Sequence, residues 1–408
     1  MLLSRPLTRK KLVGICPEGG AMDKAERASA QDATDRDAIN QKPHLDPQIE
    51  TLAPERLAGA RFAYTTRRVE KGRITSLLLS EKRPRAGDLV LAKVTKLGQH
   101  EHIELPDGRK AVLYPGTEIV VAYGNRYAPD QFEAIVPERL GPCHLVAAGG
   151  IASQMLSKHT KMRNPTEILP VGMLGDSDGN RINLDAFGLP EAKPNPLARR
   201  PLTILVAGTS MNSGKTTIMS NLAKGLVWAG HKVAAAKLSG TGAGGDRWRI
   251  LDAGADPVLD FVDAGAASTY YLPADRVERI TGTILAELFR STADFVLLEV
   301  SDGLLEPETS RLLTSTMLRP FLDAVMFTAV DAMGATAGVA WLRAHNLPII
   351  GISGVLTNSP LAMREVTATA EIPVYTSESL VKGDVIGAIE ACVARNAEAQ
   401  AEEKQKKD

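Results

Sequence analysis

The chain has little that would tie it to a polyanion, a membrane or an oxidising compartment. Its 48 Lys+Arg are cancelled by 48 Asp+Glu. No net field remains to draw in nucleic acid or an anionic membrane surface. Aromatic residues make up only 4% of the 408 positions, too few for a platform on which bases stack. The cysteines Cys16, Cys143 and Cys392 are odd in number and far apart. They form neither a disulfide framework nor a CxxC metal knuckle, and a reducing cytoplasm is the expected compartment. No run of 18 apolar residues occurs, so no membrane-spanning helix is expected. The N-terminus is basic through Lys11, but Leu12 to Cys16 is too short for the apolar core of a secretory leader.

At 44% hydrophobic the chain can bury ordinary cores, and its length allows two or three domains. Residues 20–50 hold few large apolar side chains. A flexible segment is therefore expected over 1–56, with Met22 as an alternative start. From 57 to 190 short strands follow one another between polar turns. Gly87 to Thr95 alternates; His102 to Leu105 and Lys110 to Tyr114 flank an Asp-Gly turn; Glu118 to Tyr123 and Phe132 to Val136 follow. This spacing predicts a small barrel or a compact antiparallel sheet. Cys143 to Leu156 is expected to pack a helix on it, and Ile168 to Leu174 to add a strand.

The prolines of 191–200 mark a linker. Beyond it, over 201–396, the rhythm changes. Apolar runs at 202–207, 232–238, 295–300, 324–330, 348–356 and 373–375 are separated by amphipathic stretches. Val277, Ile280, Ile284 and Leu288 share one helical face; Val385, Ile389 and Cys392 share another. Buried strands between helices predict an α/β domain with a mostly parallel sheet covered on both sides. Residues 397–408 read as a charged, solvated tail.

The chemistry gathers at the start of that domain. Gly208-Thr-Ser-Met-Asn-Ser-Gly-Lys-Thr-Thr217 fits G-x-x-x-x-G-K-T, between an apolar strand and a helix-forming run. In such a loop Gly208, Asn212, Ser213, Gly214 and Thr217 shape the backbone around a phosphate chain, and the helix N-terminus adds partial positive charge. Lys215 can reach the β- and γ-phosphates, and Thr216 can hold Mg²⁺. Phe295 to Glu299 delivers an acid to a strand's carboxyl end, where ligands of such sheets bind. Glu299 is a candidate Mg²⁺ ligand, with Asp302 competing for the role; the alternative is an acid that caps the next turn. Ala234 to Lys237 brings Lys237 to the same edge, for charge neutralisation or substrate anchoring. A Gly-rich loop, expected to be flexible, then presents Asp246 as a further Mg²⁺ candidate. His100 and His102 read as a solvated hairpin shoulder, and Cys143 and His144 as neighbours on opposite strand faces.

Residues 202–390 resemble the dethiobiotin synthetase-like branch of P-loop NTPases. The loop at 208–217, the strand ending at Lys237 with its loop to Asp246, and the strand ending at Glu299 carry the likeness. The molybdopterin-guanine dinucleotide adaptor protein is similar in its loop and its Lys-x-x-Gly segment. The resemblance implies that Lys237 contacts substrate or phosphate and that Asp246 and Glu299 help hold magnesium. Ile350 to Asn358 resembles the late strand whose asparagine meets the base, which would give Asn358 that role; Asn-Ser-Pro is equally a good turn. The Gly-Lys-Thr-Thr loop and the Gly-rich loop ending in an acid are also similar to uncharacterised P-loop proteins that include D-glutamate N-acetyltransferases. These likenesses cover the C-terminal half only. Glu299-Val-Ser-Asp-Gly303 departs from the Glu-Gly-Ala-Gly-Gly of dethiobiotin synthetases, and with it the specific dethiobiotin reaction.

No Asn/Thr-Lys-x-Asp guanine signature appears in the late strands. The expected cofactors are therefore ATP and Mg²⁺. The expected activity is phosphoryl transfer that activates a small acid or amine, with Lys215, Lys237 and Glu299 as catalytic residues. A nucleotide-driven switch or adaptor, and an acyltransferase that holds coenzyme A on the loop, are the alternatives. A homodimer and a protein partner for the β-rich domain are also expected.

Overall fold

The computed structural model describes residues 48–79, 83–195 and 200–394. Cys16, Met22, residues 196–199 of the linker and the tail at 397–408 lie outside them. The N-terminal half is built from β1 (Ile49–Thr51), α1 (Pro54–Gly59), β2 (Arg61–Phe62), β3 (Ser76–Leu78), β4 (Leu89–Lys96), β5 (His102–Glu104), β6 (Lys110–Val112), β7 (Glu118–Tyr123), β8 (Phe132–Ile135), β9 (Cys143–Ala147), β10 (Ile151–Lys158) and β11 (Thr166–Gly175). β1 and the first turn of α1 lie among the residues grouped above with the flexible segment.

β11 pairs with β4, β4 with β7, β7 with β10, β10 with β9, and β9 back with β11. Five strands thus close into a ring, which removes free sheet edges from the wall. The β7–β10 pair is parallel, so the barrel is mixed rather than antiparallel. Alternation along the strands supplies both faces of that wall. Leu89, Leu91, Val120 and Ala122 join one apolar cluster; Val90, Ala92, Ile119 and Val121 join another. β5 and β6 form the Asp-Gly hairpin.

The helix expected within 143–156 is instead the β9–β10 hairpin. Gly149 and Gly150 interrupt the apolar stretch, and Gly150 sits at φ +100°, where the chain reverses. A Cβ at Gly150 would collide with the Ala63 Cβ.

The C-terminal half follows as β12 (Leu202–Gly208), α2 (Lys215–Trp228), β13 (Val233–Lys237), α3 (Gly245–Asp252), β14 (Val258–Asp260), α4 (Ala274–Phe289), β15 (Phe295–Glu299), α5 (Pro307–Thr314), β16 (Ala324–Thr328), α6 (Ala332–Ala344), β17 (Ile349–Ser353), α7 (Pro360–Ala370) and α8 (Ser377–Val381). The sheet runs β14-β13-β15-β12-β16-β17, every pair parallel. Successive side chains of β12 go to opposite layers: Ile204 and Val206 pack with α2, Leu205 and Ala207 with the cluster that includes α4 and α6. Val277, Ile280, Ile284 and Leu288 of α4 are buried as one stripe. The run at 373–375 contributes a single bridge, Ile352 to Val374, and β14, three residues long, adds an edge strand. A parallel sheet covered on both faces, with a glycine-rich loop between its central strand and the next helix, is a P-loop NTPase-like fold. Among the described residues no helix is long and apolar enough to cross a membrane.

The halves are joined by buried polar contacts. Arg67 pairs with Asp260 at 2.8 Å and Asp263 at 2.7 Å, and the Tyr64 hydroxyl donates to Asp260 at 2.5 Å. Burial alone would lower the Arg67 pKa, but the two aspartates outweigh it and hold it raised.

Candidate functional site

Parallel pairing aligns the strand ends that carry the site. Glu299 lies in register with Val206 on one side and Lys237 on the other. The chain leaves β12 into the phosphate-binding loop, whose conformation depends on special backbone positions. Asn212 sits at φ +62° and Gly214 at φ +103°, both in the left-handed region. Asparagine tolerates that region, and at Gly214 only glycine does so without cost. At Gly208 a side chain would collide with the hydroxyls of Ser213 and Thr328. Those hydroxyls bond each other at 2.8 Å and tie the loop to β16.

Lys215 opens α2 and is buried. Its Nζ donates to the carbonyls of Ser210 and Asp302, each at 2.8 Å. Burial lowers its pKa, while Glu299 and Asp302 oppose the shift. The Thr216 hydroxyl donates to Glu299 Oε1 at 3.2 Å. Lys237 Nζ pairs with Asp246 and stands 3.6 Å from Glu299 Oε1. Burial would lower the Lys237 pKa, yet its two acidic neighbours raise it. Asp246 is held low by Lys237 against its own burial. Glu299, 2% exposed, is pushed up by burial, with Asp246 adding to the shift. Its second oxygen, Oε2, is buried without a partner among the described residues.

These groups line a cavity of about 620 Å³ with Asn212, Gly214, Thr217 and Asp302. Asp302 is non-glycine at φ +62°, and burial pushes its carboxyl up to about 6. Gly303 follows against the Thr209 carbonyl, leaving no room for a Cβ. Asn358 is not part of this wall; it ends the 3-10 turn Val355–Asn358 and is exposed. Val355 of that turn does reach the cavity.

Thr216, Asp246 and Glu299 offer a hydroxyl and two carboxylates, the oxygen donors that magnesium prefers. The orphaned Glu299 Oε2 fits such a ligand role. No cluster of three or more His, Cys, Asp or Glu suited to a metal occurs among the described residues. Any Mg²⁺ there would therefore complete its shell with water and phosphate oxygens.

The opposite wall comes from the barrel: His100, Arg126, Tyr127, Ala128, Gln131, Ala147 and Ala148. Arg126, Tyr127, Ala128 and Gln131 are not legible as site residues, because the 124–131 stretch carries no periodic pattern or known spacing. His100, expected to be solvated, is largely buried against Phe132, and its pKa is lowered to about 4 by burial and by the charge of Arg126. The Gly-rich loop expected to be flexible is fastened from the same side. Glu104 of β5 accepts the Gly244 N–H at 2.8 Å and the Trp248 indole N–H at 3.2 Å. The Cys143 side chain is buried, while His144 accepts from the Met155 N–H at 3.3 Å.

No family model matches the chain, and no curated protein matches it in sequence. Among solved structures it is similar to the signal recognition particle 54 kDa protein from Aeropyrum pernix K1 in complex with GDP, at 19% identity and a TM-score of 0.33, over 49% of this chain and 51% of that one. It is similar to the signal recognition particle receptor FtsY from Elizabethkingia anophelis in complex with GDP, at 15% identity and a TM-score of 0.29, over 46% and 60% of the two chains. A DUF1611 family protein from Anabaena variabilis ATCC 29413 matches at 13% identity and a TM-score of 0.34, over 50% and 61%. The chain thus spans about half to three fifths of these three proteins. With likeness this distant, the fold assignment rests on the strand order and the loop itself.

Proposed function

We propose that the protein binds ATP with Mg²⁺ and uses it to activate a small acid or amine by phosphoryl transfer. One observation carries this reading: Lys215, Thr216, Lys237, Asp246 and Glu299 converge on a single cavity whose far wall belongs to another domain. Phosphoryl transfer relies on positioning and charge stabilisation more than on covalent chemistry, and a walled cavity supplies both. Lys215 would hold the β- and γ-phosphates. Thr216, Asp246 and Glu299 would position the metal, which neutralises charge on the phosphate oxygens when bound. Lys237, beside Asp246 and Glu299 at the same strand edge, would face the transferring group.

The test is ADP release and nucleotide binding by the full chain with Mg²⁺-ATP, alone and with pooled metabolites, beside Lys215→Ala. Stimulated release that depends on Lys215 is expected. Nucleotide binding unchanged in Lys215→Ala would remove the site assignment. Competition of acetyl-CoA with ATP would point to acyl transfer instead.

A further inference from the structure

The barrel puts one charged side chain into the phosphate-loop cavity with its hydrogen-bonding capacity largely unused. Arg126 is 6% exposed, and among the described residues its guanidinium has a single hydrogen-bond partner: Nη2 donates to Gln131 Oε1 at 2.8 Å. Nε and Nη1 are buried with no partner among the described residues. Phe132 lies beside the group, 5.8 Å from ring centroid to Cζ. Buried donors in native proteins are nearly always satisfied, and leaving those of a desolvated cation unmet is costly. An exception that lines a cavity points to a ligand.

The segment that bears Arg126 is held in place. Its backbone N–H and C=O both pair with Ala134. Asn125 donates to the Tyr270 carbonyl at 3.2 Å, and Asn212 of the phosphate loop donates to Asp130 at 2.5 Å. Arg126 therefore does not have to swing in from solvent. Its end of the cavity is also defined. Asp302 accepts Lys215 Nζ on its backbone carbonyl, while its carboxyl lies in the field of both Lys215 and Arg126. The tip of a phosphate-loop lysine marks where the phosphate chain ends. Burial lowers the Arg126 pKa to about 10, so the group remains a cation at neutral pH.

We propose that Arg126 binds the terminal phosphate of the nucleotide, a contact supplied by the barrel to the phosphate loop of the same chain. This rests on the nucleotide-binding reading above. Nε–H and Nη1–H leave the guanidinium on different edges, and each suits a phosphate oxygen as a charge-assisted donor. A diphosphate would leave Nε and Nη1 unmet, so the site would distinguish nucleotides by their third phosphate.

The experiment is calorimetric titration of the full chain with Mg²⁺ and either the β,γ-imido analogue of ATP or ADP. Wild type, Arg126→Gln, Arg126→Lys and Lys215→Ala are compared. Arg126→Gln is expected to weaken the triphosphate analogue about tenfold or more, as loss of a charge-assisted contact does, and to leave ADP within about twofold. Arg126→Lys should fall between. Equal losses for both nucleotides, or no loss for either, would overturn the proposal. If Lys215→Ala leaves both affinities intact, the nucleotide reading itself has failed, an outcome distinct from the first. A wild-type crystal structure with the analogue decides the matter should Arg126→Gln not fold. A terminal phosphate oxygen within about 3.2 Å of Nε or Nη1 supports the contact; its absence there refutes it.

Discussion

Glu104 and Gly244 face each other across the junction between the halves, the carboxylate of one accepting the backbone N–H of the other at 2.8 Å. The same carboxylate takes the Trp248 indole N–H. A loop rich in glycine is thereby kept in one arrangement, with Asp246 set two residues beyond the clamp. Glu104→Ala strands two donors and is expected to cost about 1–3 kcal/mol. Limited proteolysis should then nick the 240–246 segment faster than in wild type. Glu104→Gln retains an acceptor and removes a charge that burial penalises, so its loss should be smaller. Equal cleavage rates in all three proteins would refute the clamp.

Arg67 is the counter-ion of Asp260 and Asp263 at side-chain exposures of 7%, 5% and 6%. Removing one member of such a group leaves charge buried and unpaired. Arg67→Met is expected to lower unfolding free energy by about 3–5 kcal/mol. Adding Asp260→Asn and Asp263→Asn should recover part of that loss. Chemical denaturation of the single and triple variants checks both statements; a triple variant weaker than the single would contradict the ion-pair account.

The pH response of Asp302 has a definite sign. Its carboxyl titrates near 6 in the fold against 3.8 as a free group, because burial favours the neutral acid. Its contribution to stability is full below 3.8 and is lost as pH rises through about 6. Asp302→Asn mimics the neutral form and suits the left-handed backbone there. At pH 8 it should raise stability by about 1–3 kcal/mol, with the gain shrinking as pH falls through that window. Urea melts across the range test it. A gain that does not change with pH would have another origin.

Two glycines give opposite expectations. A Cβ at Gly303 would meet the Thr209 carbonyl, whereas one at Gly245 finds nothing within 4 Å. Gly303→Ala should cost about 1–3 kcal/mol through overpacking, and should weaken nucleotide binding because the displaced backbone is that of the phosphate loop. Gly245→Ala, in the first turn of α3, should be neutral or mildly stabilising. Thermal melts with and without Mg²⁺-ATP measure both; comparable losses in the two variants would rule out the steric argument.

The α/β half was largely readable from residues because its determinants are local. Apolar runs of strand length mark β12, β15 and β16, the Val277–Leu288 stripe marks α4, and loop and lysine share one short stretch. The barrel was readable only as a set of strands. Its closure depends on β9 meeting β11, a pairing between distant residues that alternation does not encode. Cys143 to Leu156 read as helix because its apolar content hid the reversal at Gly149–Gly150. Arg126 was invisible for a related reason. An arginine in Gly-Asn-Arg-Tyr looks solvated until the fold lays that turn over the phosphate loop.

The Arg67 cluster also governs what can be cut from this protein. A fragment beginning at Pro201 would contain the entire phosphate loop and all six strands of its sheet. It would equally contain Asp260 and Asp263 stripped of their cation, and Gly244 without its acceptor. The C-terminal half is therefore not expected to behave as a transferable module, because the barrel supplies partners for its buried charges and its loop.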